Sequence, residues 1–197
     1  EAHTVLGLIK FKYDWDWDGA ETEFKYAIEL DKSYPTAHQW YYTYLISMNR
    51  KEEALAEIKR AHELDPLSLV INVNYGDAYF FMRQYDRAVE QFQRTIELDS
   101  NFWPIYASLG QSYQEQGKFD KAIAAFQKYR ILGGSEPDMK TLLGYIYGLT
   151  GKKGDAYKML NDLIEFHKQG YLVTYNIAWL YVGLGDKDKT FEWLEKA

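Results

Sequence analysis

Three aspartates alternate in the segment 14–19, which has the residue types of a calcium-binding loop. Asp14, Asp16 and Asp18 match the first carboxylate ligands of such a loop, and a glycine follows where the loop would turn. The second half departs from the pattern, because Lys25 stands where the closing bidentate glutamate would be. We therefore predict a turn between two helices, capped by an aspartate and with one or both of the neighbouring tryptophans packed into the core.

Other residues that could do chemistry are scattered along the chain. Each histidine lacks a second histidine three or four residues away: His3, His38, His62 and His167. The pair Gly133–Gly134 resembles part of a phosphate loop, but no Lys-Ser or Lys-Thr follows at the required spacing. The absence of cysteine excludes disulfides, thiol catalysis and cysteine-ligated metals. The sequence therefore predicts no catalytic site, no metal site and no cofactor, and an enzyme is the least favoured interpretation.

The elements that hold these residues repeat every 34 residues. When the repeats are aligned, one position, which we call a column, is alanine in the first five repeats and threonine in the sixth: Ala20, Ala54, Ala88, Ala122, Ala156 and Thr190. A second column is apolar: Phe24, Ile58, Phe92, Phe126, Leu160 and Leu194. A fixed period of this size is typical of stacked units that are each too small to bury their own apolar face. We predict an all-α right-handed solenoid, one domain over residues 1–197, with repeats near 1–34, 35–68, 69–102, 103–136, 137–170 and 171–197.

The spacing of apolar residues within each repeat predicts two antiparallel helices. The eighth position is small in the last four repeats, which lets neighbouring helices approach closely, but it is bulky at Leu8 and Tyr42. The fifteenth position is glycine in the last three repeats, where a turn can use a positive φ angle. All four prolines lie at the joints between repeats. Aspartates near the starts of second helices are predicted to cap them: Asp16 or Asp18, Asp86, Asp120, Asp155 and Asp186.

This pattern resembles the tetratricopeptide repeat, in which aromatic residues, a Leu-Gly pair, alanines and a proline recur over the same length. The fourth repeat matches best, through Tyr106, Leu109, Gly110, Tyr113, Ala122 and Phe126. Tyr129 and Gly134 stand in place of the usual alanine and proline. The related helical repeats that recognise RNA are one residue longer and lack this pattern of aromatic residues and alanines. That family is therefore disfavoured. The segments 14–17, 64–68 and 183–188 further resemble repeat arrays fused to bacterial signalling and regulatory proteins, which implies a regulatory or sensor region as an alternative function.

The resemblance implies a non-catalytic scaffold that binds a peptide or a helix of a partner protein in a concave groove lined by first helices. Carried over by repeat position, the predicted groove residues are Gln39, Thr43, Asp77, Phe81, Gln111, Gln114, Tyr145, Tyr175 and Trp179. The fifth and ninth positions hold no lysine or arginine, so the clamp that chaperone-binding relatives use for a C-terminal carboxylate is absent. We predict a partner segment with apolar anchors and modest positive charge that faces Asp77 and Glu115.

Composition and charge indicate a folded domain and disfavour nucleic acid and membrane as partners. The chain has 197 residues, of which 47% are hydrophobic and 17% aromatic, as is typical of a folded domain. Its net charge of −6 argues against a surface that tracks nucleic-acid phosphates. No apolar run is long enough to span a bilayer, and no secretory signal is visible. We expect no nucleic-acid partner and no membrane insertion, and the cytoplasm is favoured over the periplasm.

Self-association is the rival function. The sixth repeat stops at Ala197 with Phe191 and Trp193 close by, and a terminal repeat without a polar capping helix exposes its packing face. Either a further helix has been cut away beyond Ala197, or this face pairs with a second copy, which makes a homodimer through the C-terminal repeat the alternative to binding in the groove.

Overall fold

The computed structural model describes residues 1–197 throughout and is built of helices, turns and loops without a β-strand. The predicted all-α class is therefore confirmed. The chain forms two compact units, Glu1–Phe102 and Trp103–Ala197.

The first unit contains six α-helices and one π-helix, Lys10–Asp14, that directly follows α1. The α-helices are α1 (Ala2–Ile9), α2 (Trp17–Leu30), α3 (Pro35–Ser47), α4 (Lys51–Leu64), α5 (Leu69–Phe81) and α6 (Tyr85–Leu98). Consecutive helices pack as the pairs α1–α2, α3–α4 and α5–α6, and the first helix α3 also contacts the first helices α1 and α5.

The second unit contains six α-helices in the same paired arrangement. They are α7 (Pro104–Glu115), α8 (Phe119–Ile131), α9 (Glu136–Leu149), α10 (Lys153–Lys168), α11 (Thr174–Leu184) and α12 (Lys187–Leu194). The pairs are α7–α8, α9–α10 and α11–α12, and the first helices α9 and α11 pack against each other. The site described below is formed by side chains on α7, α9 and α11, together with Tyr129 on α8.

The two repeating columns form the centre of each unit. The five alanines at the 34-residue spacing, Ala20 through Ala156, have no exposed surface, because a methyl group is what a close helix crossing can accommodate. The apolar column is buried from Phe24 to Leu160, and each such side chain contributes about 1.5–3 kcal/mol to folding. Leu194 differs, since it is 42% exposed on α12.

The turn inside every helix pair uses the left-handed backbone region at the fifteenth position of the repeat. The predicted glycines do so, with φ of 71° at Gly117, 77° at Gly151 and 76° at Gly185. The same conformation occurs at the equivalent non-glycine residues, Trp15, Asn49 and Arg83, with φ between 57° and 58°. The turn geometry is therefore conserved along the chain even where the sequence does not supply glycine.

The first helix pair departs from the predicted register by one residue. Gly7, and not Leu8, faces the ring of Phe24, at the place that Gly76 and Gly110 take against Phe92 and Phe126. Eight residue steps separate Gly7 from the left-handed Trp15, against seven from Gly110 to Gly117. The π-helix Lys10–Asp14 accommodates the extra residue, because its wider turn takes one more residue than an α-turn.

The segment 14–19 caps a helix, as predicted, but its tryptophans are not in the core. The carboxylate of Asp16 accepts a hydrogen bond of 2.9 Å from the backbone N–H of Gly19 at the start of α2. Trp15 and Trp17 are 74% and 46% exposed, so the prediction that one or both pack inside was wrong. The reason is that Trp15 is the left-handed residue of the turn, at a position whose side chain leaves the helix pair toward solvent.

The predicted aspartate caps are found at two of the five helices. Asp186 accepts from the N–H of Lys189 at 3.0 Å, in the same way as Asp16. Asp86, Asp120 and Asp155 lie in the first turn of α6, α8 and α10 instead, beyond the capping residue. Their charges lie at the positive end of the helix dipole.

Candidate functional site

The predicted groove residues of the first unit lie on the first helices α3 and α5. On α3, the hydroxyl of Thr43 donates to the backbone carbonyl of Gln39 at 3.2 Å. On α5, Phe81 is 43% exposed and meets Phe80 edge-on, with ring centroids 5.7 Å apart. Burial raises the pKa of Tyr42, and the negative charge of Asp77 raises it further. These residues place amide, hydroxyl, carboxylate and aromatic groups on two adjacent helices.

Three aromatic side chains of the second unit lie next to one another on α9 and α11. The ring centroid of Trp179 is 6.0 Å from that of Tyr145 and 5.9 Å from that of Tyr175. Both pairs are tilted, at 47° and 51° between ring planes, which is a favourable geometry for aromatic contacts. Tyr175 is 57% and Trp179 38% exposed, so both rings offer surface to a ligand. Burial raises the pKa of Tyr145, and the charge of Glu115 adds to the increase, which keeps this phenol protonated at neutral pH.

A cavity of about 390 Å³ opens beside these rings, and we refer to it as the Trp179 cavity. It is lined by Ala107, Gln111, Tyr129, Asp138, Thr141, Leu142, Tyr175, Asn176 and Trp179. Three of the predicted groove residues, Gln111, Tyr175 and Trp179, thus meet in one hollow. Tyr145 reaches this group through its contact with Trp179 and is not itself in the lining. Gln114 lies apart on α7, where its amide donates to the Glu115 carboxylate at 3.4 Å.

Asp138 is a wall residue of the cavity that the sequence interpretation did not select. Its Oδ1 accepts 2.9 Å from the Nδ2 of Asn176, and its Oδ2 accepts 3.3 Å from the hydroxyl of Tyr129. Asn176 also donates to the hydroxyl of Thr141 at 3.0 Å, which links α9 and α11. Asp138 occupies the second position of its repeat, from which the sequence analysis selected no residue. The predicted groove residues came from the fifth, ninth, twelfth and thirteenth positions, and selecting the second position as well would have found Asp138.

Tyr129 holds this wall in place from α8. The side chain is 5% exposed, and its oxygen both donates to Asp138 and accepts 3.1 Å from the backbone N–H of Ser135. Burial raises the pKa of this phenol, the Ser135 hydrogen bond opposes the shift, and the Asp138 charge adds to it. The hydroxyl therefore remains a donor to Asp138 over the neutral pH range.

Two of the four isolated histidines have a carboxylate partner on the neighbouring helix. The Nδ1 of His3 is 2.7 Å from Glu23 Oε2, and the Nδ1 of His38 is 2.6 Å from Glu57 Oε2. No group of three or more His, Cys, Asp or Glu side chains is arranged to hold a metal ion. None of the helices has the length and hydrophobicity that crossing a membrane would require.

Family models identify one family for this chain. Models of the tetratricopeptide repeat match residues 73–137, 107–167 and 173–197. A search of curated proteins finds no sequence match.

Solved structures with this fold are similar in shape and distant in sequence. PilW, a widely conserved type IV pilus biogenesis factor, aligns with a TM-score of 0.78 and 17% identity over 99% of this chain and 90% of its own. A thermophilic TPR protein from Thermus thermophilus aligns with a TM-score of 0.73 and 17% identity over 99% and 95%. YrrB, a TPR protein with an unusual peptide-binding site, aligns with a TM-score of 0.57 and 21% identity over 88% and 89%. At these identities the likeness concerns the fold alone.

Proposed function

The chain belongs to the tetratricopeptide repeat family, and from this premise we propose that it is a non-catalytic scaffold that binds a peptide or helical segment of a partner protein at the Trp179 cavity. Scaffolding of protein–protein contacts is what the repeat fold supports in general. The single observation that carries the finer proposal is the partly exposed Trp179 ring, which contacts Tyr145 and Tyr175 and lines a cavity with amide and carboxylate groups.

The chemistry of this surface suits an extended or helical peptide. Tryptophan and tyrosine are the residues that most often dominate binding energy at interfaces, because they cover a large area with few rotatable bonds. The amide of Gln111 can pair with peptide backbone groups next to such an anchor, and Asn176, whose Nδ2 donates to Asp138 and Thr141, can accept a hydrogen bond from the peptide through its Oδ1. YrrB, whose fold this chain shares, has a peptide-binding site, and this supports the same class of ligand here. Gln39, Thr43, Asp77, Phe81 and Gln114 stay predicted contact residues.

A displayed peptide library selected on the purified chain tests this proposal. Selected peptides are expected to bind the wild-type chain and to lose at least about tenfold in affinity with the double variant Trp179→Ala/Tyr145→Ala. The matched control is Tyr13→Ala/Trp15→Ala, which removes the same two side-chain types from highly exposed positions of the first unit. Selected peptides that bind the double variant and the wild-type chain equally would contradict the proposal.

Self-association remains a second candidate, because the last helix pair exposes apolar side chains. Phe191 on α12 is 65% exposed, and Val182 on α11 is 49% exposed. Sedimentation velocity over a wide concentration range tests it. A dimer that dissociates with Phe191→Asp would support this function, and a monomer at every concentration would contradict it.

A further inference from the structure

We infer that the Trp179 cavity is a subsite for a guanidinium side chain, so that the partner segment carries an arginine at this point. The inference rests on the proposed function and deepens it, because it names the chemical group that the cavity takes. It comes from the charge of the cavity, from the way one carboxylate is held, and from the exposed aromatic faces.

The charge of the lining has a single sign. Asp138 is its one carboxylate, and no lysine, arginine or histidine is among the nine lining residues. Two basic side chains of α8 and α9 are engaged with acids outside the lining, and Lys128 on α8 lies over the ring of Tyr106, 5.8 Å from its centroid. Arg130 lies 3.4 Å from Glu136, and Lys140 lies 2.6 Å from Asp162 on α10. A cation that entered the cavity would therefore meet a carboxylate without competition from a lining base.

The Asp138 carboxylate is fixed in a way that leaves room for a further donor. Each of its oxygens accepts one hydrogen bond, from Asn176 and from Tyr129. An ionised carboxylate offers about four lone-pair sites, so about two remain for a ligand. The donors come from α11 and α8, and they orient the group before any ligand arrives. A carboxylate held in this manner loses little freedom when it binds a planar, forked donor such as guanidinium.

The rings of Trp179 and Tyr175 would supply the second interaction with a guanidinium group, next to the Asp138 carboxylate. A cation within about 6 Å of an aromatic centroid is attracted by the negative face of the ring, and tryptophan is the strongest of these rings. Guanidinium also stacks flat on an aromatic face, which an ammonium cannot do. The chain uses this pairing itself in the first unit, where the guanidinium of Arg87 lies 4.2 Å from the ring centroid of Tyr79. The geometry therefore favours arginine over lysine.

The wall that holds Asp138 is peculiar to the fourth repeat of this chain. Tyr129 replaces the small residue of the repeat pattern, and Gly134 leaves the space that its ring needs. Without the Tyr129 hydroxyl, Asp138 would lose one of its two donors. This combination distinguishes the subsite from a general property of helical repeat grooves.

N-acetyl-L-arginine amide is the probe that tests the inference, with N-acetyl-L-citrulline amide as its uncharged counterpart of nearly the same shape. Binding is followed by the NMR shift of the Trp179 indole N–H, assigned by its loss in Trp179→Phe. We expect the arginine amide to give a saturable shift and the citrulline amide to bind at least about tenfold more weakly. Asp138→Asn should weaken binding of the arginine amide about tenfold, whereas Asp155→Asn, an exposed aspartate on α10, should leave it unchanged.

The outcomes separate this inference from the proposed function. Equal shifts with both amides, no shift with either, or an Asp138→Asn variant that binds like the wild-type chain would overturn the guanidinium subsite. If selected peptides nevertheless bind in a Trp179-dependent way, the scaffold function stands without it. If the arginine amide binds as expected and no peptide does, the subsite stands and the peptide scaffold fails.

Discussion

Gly134 lies directly beneath the ring of Tyr129. A Cβ atom built on Gly134 would stand 2.4 Å from Cε1 of that ring, far inside van der Waals contact. The two residues are the positions at which the best-matching repeat departs from its family pattern, and the structure explains both departures together. A tyrosine at 129 is possible because residue 134 has no side chain, and the tyrosine in turn holds Asp138.

Gly134→Ala is therefore expected to lower the free energy of unfolding by about 1–3 kcal/mol, because the buried ring of Tyr129 cannot yield to the new methyl group. The cost should be much smaller in a Tyr129→Ala background, where the ring is gone. A double-mutant cycle by urea unfolding measures this coupling. Additive effects of the two substitutions would contradict the contact.

Gly110→Ala should destabilise the second unit by about 1–3 kcal/mol, because its Cβ would lie 2.2 Å from the fully buried ring of Phe126. Gly154→Ala is the matched control, since Gly154 lies in α10 with no atom within 4 Å of an added Cβ. That substitution should raise the free energy of unfolding by up to about 1 kcal/mol through helix propensity. Urea unfolding curves should show opposite signs for the two glycines, and equal signs would refute the packing argument.

The left-handed turn residues predict a second pair of opposite effects. Gly117 has φ of 71° and open space around an added Cβ, so Gly117→Ala should cost about 1 kcal/mol from backbone strain alone. Arg83 holds φ of 58° with an exposed side chain, so Arg83→Gly should stabilise the first unit by about 0.5–1 kcal/mol. Thermal unfolding of both variants checks the pair. A loss of stability in Arg83→Gly would contradict this prediction, because it would mean that contacts of the arginine side chain stabilise the fold by more than its left-handed backbone conformation costs.

The lowered pKa of the Glu21 carboxyl group leads to a prediction of how the stability of the first unit depends on pH. Its partial burial raises the pKa, but hydrogen bonds from Lys25, Arg50 and Tyr41 outweigh that effect and hold the pKa at about 2, below its ordinary value of 4.5. A group whose pKa is lowered by folding stabilises the native state above its unfolded pKa and loses this contribution as the pH falls through the folded value. The first unit should therefore lose about 2 kcal/mol between pH 5 and pH 2 on account of this residue.

Glu21→Gln should flatten this part of the pH profile, measured by urea unfolding at fixed ionic strength. Glu29→Gln, at an exposed position on the same helix, is the control and should leave the profile unchanged. A Glu21→Gln variant that retains the full acid dependence would assign the loss to other carboxylates.

The columns of alanine and apolar residues were sufficient to predict the paired helices, because the same packing contact recurs every 34 residues. The π-helix Lys10–Asp14 was not predictable from them. The extra residue of the first helix lies before Ala20 and Phe24, so it does not change the 34-residue spacing of the alanine and apolar positions. The π-helix accommodates it by a local change in helical winding. The exposure of Trp15 has a separate cause, since a residue type that usually favours the core occupies the left-handed turn position of its repeat.

The site was predictable only in part, for a related reason. Tyr145, Tyr175 and Trp179 follow from repeat position, and the structure places their rings in contact. The network of Tyr129, Asp138 and Asn176 depends on three helices and on the space left by a glycine. No periodic pattern records such a network, because its members occupy different positions in different repeats.

The most direct test of groove binding is an NMR titration of the six tryptophan indole N–H groups with a peptide from the selection. The account predicts that the Trp179 signal shifts most and saturates, while the signals of the exposed Trp15 and Trp17 in the first unit stay in place. A titration in which Trp15 or Trp17 shifts and Trp179 does not would place the binding surface elsewhere and contradict the account.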